Sequence, residues 1–295
     1  MNNAFAKQSA FSSRALLAFA GVLAVAGLVL LGPTWILLWW HWTTDPLRSI
    51  GMVFFPVAIV LLLLEWRRGG WERNGTWWGL LPIVFAILCN RYWVAKGELF
   101  VHWKISFNVL PVSLTPYAYV SGLVLLFAGV ALWKRAWFPL LLLLLLNPLP
   151  TSIVPVIDAH LQVFAAHVTR VFANAIGFHP STPQLLLMFS PNFGMFIAPG
   201  CDGMRGGVTF GYMALIMGYI RRLPGRTWAL FTLAAVAIGY LLNLARLCLL
   251  VVYYRIAMGH VRLENSAKNA DYIIGGCLML LAAYTFFVYF LQAKQ

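Results

Sequence analysis

Cys201 lies in Pro199-Gly200-Cys201-Asp202-Gly203-Met204-Arg205-Gly206-Gly207, a glycine-rich turn directly ahead of an apolar run. A thiol in such a turn is open to reactants, and given a base or a positive field it ionises to a nucleophile near neutral pH. Cys89, Cys248 and Cys277 lie inside apolar runs, where a thiol behaves as a small hydrophobe. The wide, irregular spacing of the cysteines matches neither a metal site nor a disulfide framework.

The base or field can come from His260 or from Arg246. Arg246 belongs to Tyr240-Leu241-Leu242-Asn243-Leu244-Ala245-Arg246-Leu247-Cys248, within an apolar run that continues to Tyr254. An arginine at membrane depth costs several kcal/mol unless it faces a polar cavity or a partner, so it marks a functional site by default. Asn243, at i, i−3, shares its helical face and can orient the guanidinium. The polar island from Met258 to Asp271 contributes His260, the candidate to manage protons. Arg205 reads as a local charge that caps or steers the Cys201 turn, and Gly203 as part of that turn. His160, His167 and His179 read as interface residues.

These residues need a membrane scaffold. The chain is 62% hydrophobic and 10% charged over 295 residues, the composition of an integral membrane protein. Its net charge of +13 does not imply nucleic acid, because the Lys and Arg residues cluster in short loops between apolar runs. The expected fold is all-α, a single polytopic transmembrane bundle over 1–295 whose key motifs fall within 199–275. About eight spans of roughly 20 residues are expected, near Leu16–Trp39, Ile50–Glu65, Trp77–Tyr92, Leu114–Trp133, Ala136–Asn147, Gly207–Ile220, Trp228–Arg246 or beyond, and Tyr272–Leu291. The first follows Lys7 and Arg14 without a small-residue cleavage site and reads as a retained span.

With that count, the groups Lys7/Arg14, Arg67/Arg68/Arg73, Lys134/Arg135, Arg221/Arg222/Arg226 and Lys294 fall on one side, which the positive-inside bias makes cytoplasmic. Cys201, Arg246 and His260 then approach the outer face. Ile157–Ile176 places Leu161, Phe164, Val168, Val171 and Phe172 on one helical face, predicting an amphipathic helix in the outer interface. Gln184–Ala198 mixes turn formers with apolar residues and suits a loop or short strand pair packed over the site.

The order Cys-x-Gly, Asn-x-x-Arg and then His, each near the outer end of a span or just before the last one, resembles the exosortase and archaeosortase family. The resemblance runs from about Trp77 to Leu291, and Asp202 stands where a Ser is common in the family. It implies a membrane cysteine transpeptidase for exported proteins that end in a Pro-Glu-Pro-like motif, a transmembrane helix and a basic tail. Carried over, Cys201 and Arg246 match the family motif, and the third position falls on His260 or Asn269. No metal or organic cofactor is implied, and the partners are exported proteins and membrane lipid. Two other classes fit the composition: a transporter or channel with Arg246 on a polar path, and a non-catalytic assembly protein.

Overall fold

The computed structural model describes residues 13–45, 48–70, 74–103, 111–147, 154–180, 185–190, 193–197 and 203–292. The chain divides into two compact units, Met1–Pro150 and Thr151–Gln295. Among the described residues it is helical apart from one strand pair.

The first unit contains α1 (Ser13–Leu30), α2 (Gly32–Thr44), α3 (Gly51–Arg68), a 3₁₀ turn at Trp77–Gly79, α4 (Leu80–Trp103), α5 (Leu114–Phe127), α6 (Val130–Arg135) and α7 (Trp137–Leu144). The expected continuous span Leu16–Trp39 is bent by 70° between Gly21–Leu30 and Gly32–Thr44. In a straight helix the Thr34 N–H would bond the Leu30 carbonyl. Instead the Asn90 side chain enters that gap: its Oδ1 accepts from Thr34 N at 3.3 Å and from Thr34 Oγ1 at 2.8 Å, and its Nδ2 donates to Leu30 O at 3.0 Å. A side chain inserted into the i→i−4 ladder is a recognised cause of a kink, and Pro33 at the start of α2 assists it.

Two further expectations change here. Leu114–Trp133 is not one helix, because the chain breaks at Gly129, whose φ of +87° closes α5 and opens α6. Ala136–Asn147 shortens to Trp137–Leu144, about 12 Å long and less than half of a hydrocarbon layer of about 30 Å. The leucine run instead packs inside the unit, with Phe138, Leu140, Leu142 and Leu143 buried, against α3 and α5.

The second unit contains α8 (Val154–Ala175), β1 (Leu186–Ser190), β2 (Phe193–Phe196), α9 (Met204–Ile220), α10 (Gly225–Ala257), the short α11 (Val261–Asn265) and α12 (Ala267–Gln292). The strands pair antiparallel, with Leu186 opposite Phe196 and Leu187 opposite Met195, so of the loop or strand pair expected in this stretch it is the strand pair that forms. A shared core joins Leu187, Phe189, Met195 and Ile197 of this ribbon region to Ala165, Ala166 and Ala173 of α8 and to Leu247, Leu250 and Val251 of α10. Rings reinforce it: Phe189 stacks on Phe178 at 4.5 Å, and Phe193 stacks on Tyr254 of α10 at 4.7 Å.

The predicted amphipathic helix forms as α8, but its inward face differs from the apolar one read in the sequence. Gln162, Ala165, Ala166, Thr169 and Ala173 are buried, whereas Phe164 and Val171 are 52% and 54% exposed. Small side chains let α8 approach its neighbours closely, and large apolar ones are free to face lipid.

Among the described residues, two helical stretches are long and apolar enough to cross a membrane singly, Trp77–Ala95 and Gly225–Ala257, with the bent pair at Gly21–Thr44 a third when counted as one span. The chain is therefore a membrane protein of nearly all-α fold.

Candidate functional site

Arg246 is fixed by its position along α10. From Gly225 to Arg246 the helix rises about 32 Å, one hydrocarbon thickness, and from Arg246 to Ala257 about 16 Å more. Arg221, Arg222 and Arg226 cluster at the start of this helix, so Arg246 stands a membrane's width from a basic end. There a guanidinium reaches polar surroundings at far lower cost than at the bilayer centre.

Its partner is Asp271 on the first turns of α12. Arg246 Nε donates to Asp271 Oδ1 at 2.7 Å and Nη2 donates to Oδ2 at 2.9 Å, a two-pronged charge-assisted pair. On the other side, Nη1 donates to Asn243 Oδ1 at 3.4 Å, one turn back on the same helix, as the i, i−3 spacing predicts. One turn beyond Asp271, Gly275 clears the space that the arginine stem occupies: a Cβ there would lie 3.3 Å from Arg246 Cδ and 3.4 Å from Nε.

These groups face a cavity of about 530 Å³ between α9, α10 and α12. Its polar wall includes Arg205, Asn243, Arg246 and Asp271, and its apolar wall includes Phe210 and Leu242. Gly203, also on the wall, caps α9 in the left-handed region at φ +92°, which any residue but glycine adopts with strain. A Cβ there would also press on the Tyr240 ring and the Asn243 side chain, at 2.7 and 3.2 Å. Below it α9 and α10 meet backbone to backbone, since a Cβ on Gly206 would lie 2.8 Å from Gly239 O.

The structure thus brings together Gly203, Arg205, Asn243 and Arg246 of the residues singled out in the sequence. Cys201 and Asp202 lie outside the described residues. Of the other cysteines, Cys89 is buried, Cys248 half-buried and Cys277 exposed, and none of them lines the cavity.

His260 and Asn269 are not on the cavity wall. The His260 backbone caps α11, its carbonyl accepting from Leu263 N and Glu264 N, and its side chain is exposed beyond the end of α10. Asn269 is exposed too. It precedes Asp271 by two residues on a helix, a spacing that points the two side chains to opposite sides.

Asp271 is the residue that the reading of single motifs missed. The available signal was charge. An arginine in an apolar run calls for a polar cavity or a partner such as a carboxylate, and the chain has only 8 acidic residues, of which Glu264 and Asp271 follow the cysteine turn. Gln162 was missed as well: its Nε2 donates to Ile197 O, fastening the end of the ribbon to α8.

A family described as transmembrane exosortase (Exosortase_EpsH) matches residues 39–289, most of the length of both units. The chain belongs to the transmembrane exosortase family. Neither the curated proteins nor the solved structures contain a match. Membership of the exosortases carries a role in processing sorting signals, and the geometry around Arg246 and Asp271 lies inside the matched region.

Proposed function

We propose that this exosortase is a cysteine transpeptidase or protease that cuts the C-terminal sorting signal of exported proteins at the outer face of the cytoplasmic membrane. The observation that carries the reading is Arg246, gripped on the wall of a cavity that Gly203 also lines. In the sequence Cys201 is separated from Gly203 by Asp202 alone.

In this reading the Cys201 thiolate attacks the scissile carbonyl carbon, and the C–S bond forms as the carbonyl electrons move to oxygen. Arg246 stabilises that oxyanion, as a preorganised donor does most effectively where water is scarce. Collapse breaks the C–N bond, the departing amine takes up a proton, and the thioester is resolved by water or an incoming amine with release of the thiolate. His260, or another polar group of the Met258–Asp271 segment, manages the protons and supplies the one the amine takes up. The substrate class is an exported protein whose tail carries a short Pro-Glu-Pro-like motif, an apolar helix and basic residues. The basic loops are read as cytoplasmic, which by the positive-inside bias puts the cavity at the outer face.

The test is processing of an exported protein with a tagged tail by the full chain and by Cys201→Ala, Cys89→Ala, Cys248→Ala and Cys277→Ala. Loss confined to Cys201→Ala, with a thioester-linked intermediate cleavable by hydroxylamine in the wild type, is the expected result. Normal processing by Cys201→Ala overturns it.

A further inference from the structure

We propose that Asp271 is the positioning residue of this site, holding the Arg246 guanidinium in one plane and one direction for the reaction. The inference rests on the reading of Arg246 as the group that stabilises charge on the reacting carbonyl.

The grip is geometric. Asp271 takes the Nε and Nη2 side of the guanidinium at 2.7 and 2.9 Å. A planar fork held at two points cannot rotate about its long axis, whereas a single contact would leave it free to swing. Asn243 approaches the Nη1 corner from the arginine's own helix, and Asp271 comes from a different helix, so the direction of the fork is set by the packing of α10 on α12. Gly275, one turn on from Asp271, belongs to the same device: its missing side chain admits the Arg246 stem close against α12.

Stability alone does not account for the pair. Its side chains remain 22% and 31% exposed, and ion pairs that reach solvent contribute about 1 kcal/mol or less. The cavity explains it better. A guanidinium that must meet a developing oxyanion has to be in place beforehand, and a misplacement of about 1 Å can cost a hundredfold in rate.

The experiment compares Asp271→Asn, Asp271→Glu and the charge swap Arg246→Asp/Asp271→Arg with wild type, using the full chain in membranes and a tagged substrate tail. Asp271→Asn should lower kcat on the order of tenfold to a hundredfold, with KM within about twofold and with wild-type membrane abundance and thermal unfolding. Asp271→Glu, which keeps the charge but shifts the grip, should fall between the two. A wild-type kcat in Asp271→Asn overturns the proposal.

If Asp271→Asn fails to accumulate, the swap decides. It restores an ion pair between the same helices with the guanidinium moved to α12, and it should insert normally yet not process. Processing by the swap at the wild-type rate overturns the proposal, because the position of the guanidinium would then not matter. Cys201→Ala is run alongside: full activity there sinks the cysteine mechanism and leaves Asp271 to be judged by its own variants. A readout without turnover is phenylglyoxal modification of Arg246, followed by peptide mass spectrometry. It should rise severalfold in Asp271→Asn, and an unchanged rate contradicts the grip.

Discussion

Gln162 of α8 donates its side-chain amide to the carbonyl oxygen of Ile197, 35 residues away, with both residues buried. The bond fixes Ile197, and Gly203 opens α9; these are the described residues on either side of 198–202 in the sequence. Gln162→Leu keeps the volume but leaves the Ile197 carbonyl without this donor in a buried place. Orphaning a buried acceptor costs about 1–3 kcal/mol. The variant should unfold at lower temperature in detergent and process more slowly at matched abundance. Wild-type values for both would mean that the ribbon needs no such fastening.

The contact of α9 with α10 gives a second prediction. Gly206 and Gly239 face each other so closely that a Cβ on Gly239 would lie 2.5 Å from Gly206 O, and backbone on a rigid helix does not yield as a flexible side chain does. Gly239→Ala should therefore push the helices apart at a cost of about 1–3 kcal/mol and alter the cavity that both line. Thermal unfolding and processing should fall together. Unchanged unfolding would show that the helices separate at no cost.

Much of this site was legible in the sequence because it depends on local spacing. Asn243 and Arg246 share a face through the i, i+3 relation, and they do so in the structure. Gly203 stands where a glycine-rich turn must stop and a helix begin, and its φ of +92° fits that need. Asp271 was not legible by this route, because its pairing with Arg246 depends on how α11 returns the chain and on the register of α12 against α10. The inward face of α8 was hidden for another reason. In water a large apolar face must turn inward, but beside lipid Phe164 and Val171 can face outward while Ala165 and Ala166 face the protein. The bend at Thr34 was equally invisible, since it is made by Asn90 from a distant helix.

The proposed orientation predicts a labelling pattern. Gly225 begins α10 beside Arg221, Arg222 and Arg226, and Asn265 ends α11 beyond the other end of that helix. In intact cells, a membrane-impermeant maleimide should reach a cysteine introduced at Asn265 and not one at Gly225, with both reacting after permeabilisation. Reaction at Gly225 from outside would invert the topology and move the cavity to the cytoplasmic face.

Replacement of Arg246 by lysine separates an arginine that performs chemistry from one that only anchors its helix. A lysine ammonium carries the same charge, but it is a compact point on a flexible stem and cannot span Asp271 and Asn243 at once. If the fork stabilises an oxyanion, Arg246→Lys should lose about 3 kcal/mol of transition-state stabilisation, on the order of a hundredfold in rate, and Arg246→Ala at least as much. An arginine that merely snorkels to the interface would be replaced by lysine with little effect. Processing rates must be compared at matched membrane abundance, because Arg246→Ala also strands the Asp271 carboxylate, and lost insertion would otherwise pass for lost chemistry. Asp271→Asn combined with Arg246→Ala removes that complication, since no unpaired charge is left behind. If this pair of changes is still inactive when correctly inserted, the loss belongs to the missing guanidinium; if it processes normally, Arg246 is an anchor.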